Sequence, residues 1–286
     1  MGRVLPEIEG LLRERDLEYE VVPTEEPGHA TALARDALER GRWFIVAMGG
    51  DGTVHEVVNG LIDDDKPVNA EARFGVVATG TGCDFIKTFG IPATPSHAVV
   101  HLDGPESFPI DIGKITFTQD EREDVRYFAN VAEVGMGAEV ARLARRLPRA
   151  LGGGRYLVAL WAVLARHRPP QVSVDLMTRT YEGSMNSLVV ANGQFFSGGM
   201  KIAPKAAPTD GVLDFLLEHA SKREVLATMP KIYRGEHLPH PDIIEAKRVK
   251  ASITSDRPLR VEADGELLGF TPTRFEVLRD ALLLKV

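Results

Sequence analysis

The sequence predicts an α/β plus β protein: an α/β domain over residues 1–105, and a β-sandwich domain over residues 106–279. Three observations lead there. Helical and extended patterns alternate through the first third, as in a parallel sheet flanked by helices. Past Asp103-Gly104-Pro105, apolar residues recur with period two, as in half-buried strands. Two glycine turns each follow a short apolar run, as at the carboxyl edge of a parallel sheet.

Taken in order, residues 4–15 carry Leu5, Ile8, Leu11 and Leu12 at helical spacing, residues 19–22 read as a short strand, and Thr24 sits in a turn. A helix over 30–40, a strand over 43–48, a helix over 54–62, a strand over 74–78, a short helical run to Phe89 and a helix over 96–102 complete the first domain. Period-two patterning then predicts strands over 109–118, 125–132, 171–177, 183–191, 213–218, 246–254, 259–263, 274–277 and 281–286. Helices over 138–147, 156–167 and 222–229 interrupt them. Phe195, Phe196, Met185 and Met200 are expected to pack in the sandwich, and His237 and His240 to lie in a loop.

The 286 residues carry a formal charge of −7, which argues against a general nucleic-acid binder. A local basic cluster of Arg142, Arg145, Arg146, Arg149 and Arg155, followed by Arg166, His167 and Arg168, reads as a solvated helix face in preference to a face for anionic headgroups. The single cysteine, Cys83, forms no intrachain disulfide, and this fits a reducing, cytoplasmic setting. No signal peptide is visible, and the longest apolar run, over 156–165, is about half of the ~20 residues that a membrane span needs.

The chemistry concentrates in the glycine turns. Gly49-Gly50-Asp51-Gly52-Thr53 follows a strand and opens a helix, so bare N–H groups meet the positive end of a helix dipole, where phosphate binds. Asp51 adds a carboxylate suited to a phosphate-bound Mg²⁺. Gly80-Thr81-Gly82, followed by Asp84, makes a second such turn. Asp264-Gly265-Glu266 places two carboxylates around a glycine, which reads alone as a plain Asp-Gly hairpin turn.

Together these residues carry a resemblance. The first turn with Glu56 and Asn59-Gly60, the second with Asp84-Phe85, and Gly90-Ile91-Pro92 resemble the bacterial diacylglycerol kinase family, a lipid kinase group that includes sphingosine and ceramide kinases. Asp111, Asn130, Gly135, Asn192-Gly193, Gly198-Gly199, Asp210-Gly211 and Asp264-Gly265-Glu266 continue the family's order to the C terminus. The resemblance implies a nucleotide domain of the NAD kinase and diacylglycerol kinase type, a lipid-substrate sandwich domain with a cleft between the two, and a last strand (280–286) that returns to the first domain. It implies an ATP- and Mg²⁺-dependent lipid kinase acting peripherally at the membrane surface on the hydroxyl of diacylglycerol or a related lipid. Thr24, Gly49, Gly50, Asp51, Gly52, Thr53, Glu56, Gly80, Thr81 and Gly82 would hold the nucleotide. Glu266 would be the general base with Asp264 as its helper, and Asp210, with the carbonyls of Ala207 and Val212, would hold a structural Mg²⁺. The sequence does not give the oligomeric state, and a homodimer is compatible with it.

Three departures matter. The chain starts at the helix that follows the family's first strand, so the given start is expected not to be the biological one, or the protein to be impaired. Cys83 replaces an asparagine, and a thiol is the poorer hydrogen-bonding group. His55 stands where asparagine is common, a change expected to be mild. A soluble-substrate kinase of the NAD kinase type, and a non-catalytic lipid- or nucleotide-binding regulatory protein, stand as alternatives.

Overall fold

The computed structural model describes residues 4–79, 82–148, 151 and 154–286. Eight helices are described: α1 (Val4–Glu14), α2 (His29–Glu39), α3 (Asp51–Leu61), α4 (Phe85–Phe89), α5 (Pro95–Asp103), α6 (Met136–Arg146), α7 (Gly154–Arg166) and α8 (Lys222–Ile232). The strands of the first part are β1 (Phe44–Gly49), the short pair β2 (Ile62–Asp63) and β3 (Lys66–Pro67), β4 (Arg73–Ala78), β5 (Ser107–Gln119) and β6 (Arg122–Phe128). Then come β7 (Val131–Gly135), β8 (Gln171–Asp175), β9 (Thr180–Ser184), β10 (Ser187–Ala191) and β11 (Leu213–Glu218). The last four are β12 (Ile243–Arg248), β13 (Lys250–Ser255), β14 (Arg260–Ala263) and β15 (Glu266–Lys285).

Among the described residues, thirteen strands form one continuous curled sheet. β1 and β4 are parallel, and their apolar residues are covered by helices on both faces: Ile8 and Leu12 of α1 pack with Val77 and Val99, while Val54, Val57 and Val58 of α3 pack with Phe74 and Val76. The ladders along the path β12-β11-β10-β7-β14-β15-β13-β8-β9 are all antiparallel. Ile115, Phe128, Val134, Val190, Phe215, Ile253 and Phe275 fill the core between the sandwich layers.

β15 joins the two parts. It leaves the Asp264-Gly265 turn beside β14, runs along β5, and ends parallel to β4 with Leu283 opposite Arg73. The sequence suggested two strands, 274–277 and 281–286. The gap is a register shift between Leu278 and Leu282, where the Asp280 N–H leaves the ladder to donate to Asp111 Oδ1 at 2.9 Å.

Four further expectations change. The strand expected over 125–132 breaks at Ala129 and Asn130, because their N–H groups donate to Asp264 rather than to a neighbouring strand. The strand expected over 183–191 is two strands that do not pair with each other: β9 lies beside β8 and β10 between β7 and β11, and the chain crosses between them through Met185 and Asn186, whose buried side chain donates to Ala220 O at 2.7 Å. The strand expected over 246–254 changes partner at Val249, from β11 to β15 and β8. Residues 19–22 make no ladder: Val21 and Val22 are exposed, as are Trp43 and Phe44 at the start of β1, which pairs only with β4 among the described residues.

Candidate active site

β1 ends at Gly49 opposite the last residue of β4, Ala78, and the Thr79 N–H donates to the Gly49 carbonyl at 3.2 Å. The two glycine turns therefore leave the sheet side by side. Gly50 caps α3 in extended conformation, and the N–H groups of Asp51 and Gly52 open the helix with no intrahelical acceptor. A Cβ on Gly49 would lie 2.2 Å from Thr53 Oγ1, so glycine is required for the Thr53 side chain to fold over the turn. Gly80 and Thr81 lie outside the described residues; Gly82 presents its carbonyl 3.8 Å from where a Cβ on Gly50 would stand.

Asp51 ties the turns together. Its Oδ1 accepts the N–H groups of Asp84 (2.8 Å) and Phe85 (3.0 Å), and Oδ2 lies 3.0 Å from the same Asp84 N–H. Burial pushes its pKa up to about 6, the charges of Asp84 and Asp264 add to the rise, and the two backbone donors oppose it. Asp84 in turn accepts from Lys87 Nζ and from the Gly198 N–H, both at 2.6 Å. Cys83, beside Asp51, is 2% exposed and packs in the core, where burial first and the Asp51 charge second push its thiol up to about 12. It is an inert wall of the turn, and its side chain is not the exposed donor that an asparagine there was expected to supply.

The third turn meets these two. Asp264, at φ +50°, is almost fully buried: its carboxylate accepts the N–H groups of Ala129 (2.8 Å), Asn130 (2.9 Å) and Val131 (3.1 Å), and lies 3.3 Å from His55 Nδ1 on α3. It fixes the turn in place and ties it to the α/β domain. Glu266 is half-exposed. Its Oε1 lies 3.7 Å from where a Cβ on Gly52 would stand, over the first turn of α3. Arg145 of α6 holds it with two bonds, 3.0 Å to Oε2 and 3.3 Å to Oε1, and also donates to the Gly265 carbonyl at 2.9 Å.

Other expected residues have different employment. Glu56 accepts the Ala30 N–H at 3.0 Å, and its carbonyl accepts from Thr31 Oγ1 at 2.8 Å, so it fastens α2 to α3. Thr24 is exposed and hydrogen-bonds to neither turn among the described residues. Asp210 Oδ2 accepts from Lys247 Nζ at 2.7 Å, and the same ammonium lies 3.2 Å from Asp214 Oδ2 and donates to Lys205 O at 3.1 Å. The Ala207 carbonyl already accepts from Thr209 and Asp210 N–H groups, and the Val212 N–H donates to Asp210 Oδ1. An ammonium ion thus already sits against Asp210 and Asp214, and a structural Mg²⁺ on Asp210 would have to displace it. Asp51 does fit a Mg²⁺ that arrives on a nucleotide, since such an ion takes one or two carboxylates and fills its shell with phosphate and water. No group of three His, Cys, Asp or Glu gathers as a resident metal site among the described residues.

Sequence reasoning passed over Arg145, set aside with a solvated helix face, and His55, whose ring is buried against Asp264. It also missed Glu133 and Glu262. Each interrupts an apolar strand run, Val131-Ala132-Glu133-Val134 and Val261-Glu262-Ala263, and a charged residue there is seldom fully buried without a partner.

Residues 1–115 match the diacylglycerol kinase catalytic domain, and residues 130–286 match the YegS C-terminal NAD kinase beta sandwich-like domain. The chain is 31% identical over 268 residues to a probable lipid kinase YegS-like protein of Xanthomonas oryzae pv. oryzae, covering 92% of this chain and 84% of that one. It is 30% identical over 252 residues to a diacylglycerol kinase of Bacillus subtilis, covering 87% and 79%. A crystal structure from Bacillus anthracis superposes with a TM-score of 0.78 at 24% identity, covering 99% of this chain and 90% of that one. A second, named a diacylglycerol kinase of the same organism, gives 0.68 at 18% identity over 97% and 90%. Those two likenesses show the fold.

Proposed function

This chain belongs to the diacylglycerol kinase family and is a lipid kinase, and from that premise we propose that it moves the γ-phosphoryl group of ATP onto the hydroxyl of diacylglycerol or a close relative. The observation that carries the reading is the placement of the Glu266 carboxylate over Gly52, at the opening of α3. A base is thereby brought beside the backbone donors that suit a phosphate, although the two lie more than two hundred positions apart in the chain.

The α3 N terminus and the second glycine turn hold the phosphates still, which is most of what phosphoryl transfer asks of a protein. Glu266 takes the proton of the attacking hydroxyl. Arg145 fixes the orientation of Glu266 and sets a positive charge near the transferred group. Asp264 supports Glu266 by anchoring the turn. A Mg²⁺ carried with the nucleotide and held by Asp51 would neutralise phosphate charge.

The lipid is met at a membrane surface from the cytoplasmic side. The outer face of α7 supports this: Leu157, Val158 and Trp161 are 50%, 47% and 56% exposed, between Arg155 and Arg166. An apolar helix face rimmed by arginine suits an anionic bilayer surface. No helix among the described residues is long and apolar enough to cross a membrane.

The test is transfer of label from ATP, with Mg²⁺, to mixed micelles of diacylglycerol, sphingosine or ceramide, with soluble NAD in parallel. Label on diacylglycerol is expected. Label on NAD alone, or on no acceptor, would end this reading.

A further inference from the structure

A cavity of about 120 Å³, open in part to solvent, lies between α6, α7 and α8 on one side and β7, β10 and β11 on the other. Its walls are mostly apolar, among them Met136, Leu160, Val189, Met200, Leu216 and Val225. Phe196 and Met200, expected simply to pack in the sandwich, face this space. Helix α7 has two roles: Tyr156 and Leu160 line the cavity, while Leu157, Val158 and Trp161 of the same helix face solvent.

At one side of the cavity stands an ionisable group with no use in the mechanism above. Glu133 is 6% exposed, and no group among the described residues hydrogen-bonds its carboxyl. The carboxyl lies where a side chain on Gly137 would be: a Cβ there would stand 2.1 Å from Glu133 Oε1. In the sheet Glu133 is directly opposite Glu262, which is 4% exposed. Glu262 accepts the Gly265 N–H at 2.5 Å, so one hydrogen bond separates the acid pair from the turn that carries Glu266.

Two carboxyls side by side in a dry site do not both ionise. Burial first, with the Glu218 charge adding for Glu133 and the Glu133 charge for Glu262, holds both well above the usual carboxylate range; Glu218 on the same cavity is pushed up to about 7 for the same first reason. A neutral carboxyl donates a hydrogen bond. It therefore recognises an acceptor such as an ester carbonyl, and an apolar cavity around it recognises hydrocarbon.

Resting on the lipid-kinase reading, we propose that this cavity holds an acyl chain of the lipid substrate and that Glu133 donates a hydrogen bond to the ester carbonyl joining that chain to glycerol. Glu133 is then the residue that selects an ester-linked glyceride over other long-chain alcohols. The cavity supplies affinity for the chain, and the acid pair places its polar end next to the turn of Glu266.

The test compares dioctanoylglycerol with its diether analogue, which has the same chain atoms but no carbonyls. Both phosphorylation kinetics and direct binding to the full chain are measured. Wild type is expected to favour the ester about tenfold in binding and in kcat/KM, the worth of one neutral hydrogen bond. Glu133→Leu removes the preference, and Glu133→Gln, which keeps an N–H donor, restores most of it. Thr228→Trp fills the cavity from α8, away from the sheet, and weakens ester and ether alike. A thermal melt on each variant separates misfolding from lost recognition. The proposal is overturned if wild type does not distinguish ester from ether, or if folded Glu133→Leu distinguishes them as wild type does. If the binding preferences hold but no lipid is phosphorylated, the kinase chemistry fails and the cavity stands.

Discussion

His55 Nδ1 lies 3.3 Å from Asp264 Oδ2, joining a helix of the α/β domain to a turn of the sandwich across 209 positions of sequence. Asp264 also takes three backbone N–H groups, so its removal strands buried donors on one side and a histidine on the other. Asp264→Ala is expected to lower stability by about 3 kcal/mol and to abolish turnover. A urea midpoint measures the first and phosphoryl transfer the second. A variant as stable as wild type would mean that Asp264 anchors nothing.

Glu266 should behave in the opposite way. Its partner Arg145 and Glu266 itself are both about half-exposed, and such a pair contributes roughly 0–1 kcal/mol to stability. Glu266→Gln is expected to leave the urea midpoint and ATP affinity nearly unchanged while lowering kcat by about 10²–10⁴, the usual worth of a general base. Isothermal titration with ATP and steady-state kinetics give the two numbers. Near-normal turnover removes Glu266 from the catalytic role.

Those contrasting roles explain what was legible in the sequence. The glycine turns were readable because backbone conformation demands glycine locally, as at Gly49. The turn of Asp264 and Glu266 was readable as a motif, but the division of labour within it was not, since the N–H groups that bury Asp264 come from residues 129–131. Arg145 was misplaced for the same reason: nothing local says that α6 points an arginine at a turn 121 positions away. The strand expected over 125–132 breaks where Asp264 takes the N–H groups of Ala129 and Asn130, and the two strands expected over 274–277 and 281–286 are one strand, β15, whose register shifts where Asp111 takes the Asp280 N–H. Periodicity records which face a residue lies on, and side-chain capture of backbone groups is invisible to it.

The buried acids set a pH dependence. Asp51, Glu133, Glu218 and Glu262 all have pKa values raised in the folded protein, mainly by burial. The folded state therefore binds more protons than the unfolded one above about pH 4, and stability falls as pH rises through the folded values. His167 and His237, lowered by burial, act oppositely, but only below about pH 6.5, the unperturbed value. Between pH 7 and 9 the acid pair dominates. Wild type is expected to lose on the order of 2 kcal/mol across that window, and Glu133→Gln to show a flatter profile in urea titrations at each pH. A wild-type profile that rises from pH 7 to 9 would contradict the placement of these groups.

Lys247 stands on β12 directly opposite Asp214, and its ammonium meets Asp210, Asp214 and the Lys205 carbonyl. Three oxygens around one positive charge do the work expected of a structural cation. Burial raises Asp214 and the Lys247 charge opposes that rise, so Asp214 depends on the ammonium to remain ionised. The unfolding midpoint of wild type should then be the same with excess Mg²⁺ as with a chelator. Lys247→Met leaves the aspartates uncompensated and is expected to cost about 2 kcal/mol, less than the loss of a fully buried partner because the lysine is partly exposed. Excess Mg²⁺ should recover part of that loss, because the two carboxylates and the backbone carbonyls nearby become available to a hard cation. Thermal melts of wild type and variant, each with Mg²⁺ and with chelator, read all four states. If chelation lowers the wild-type midpoint, a divalent ion displaces the ammonium in solution, and Asp210 holds a metal as the family resemblance implies.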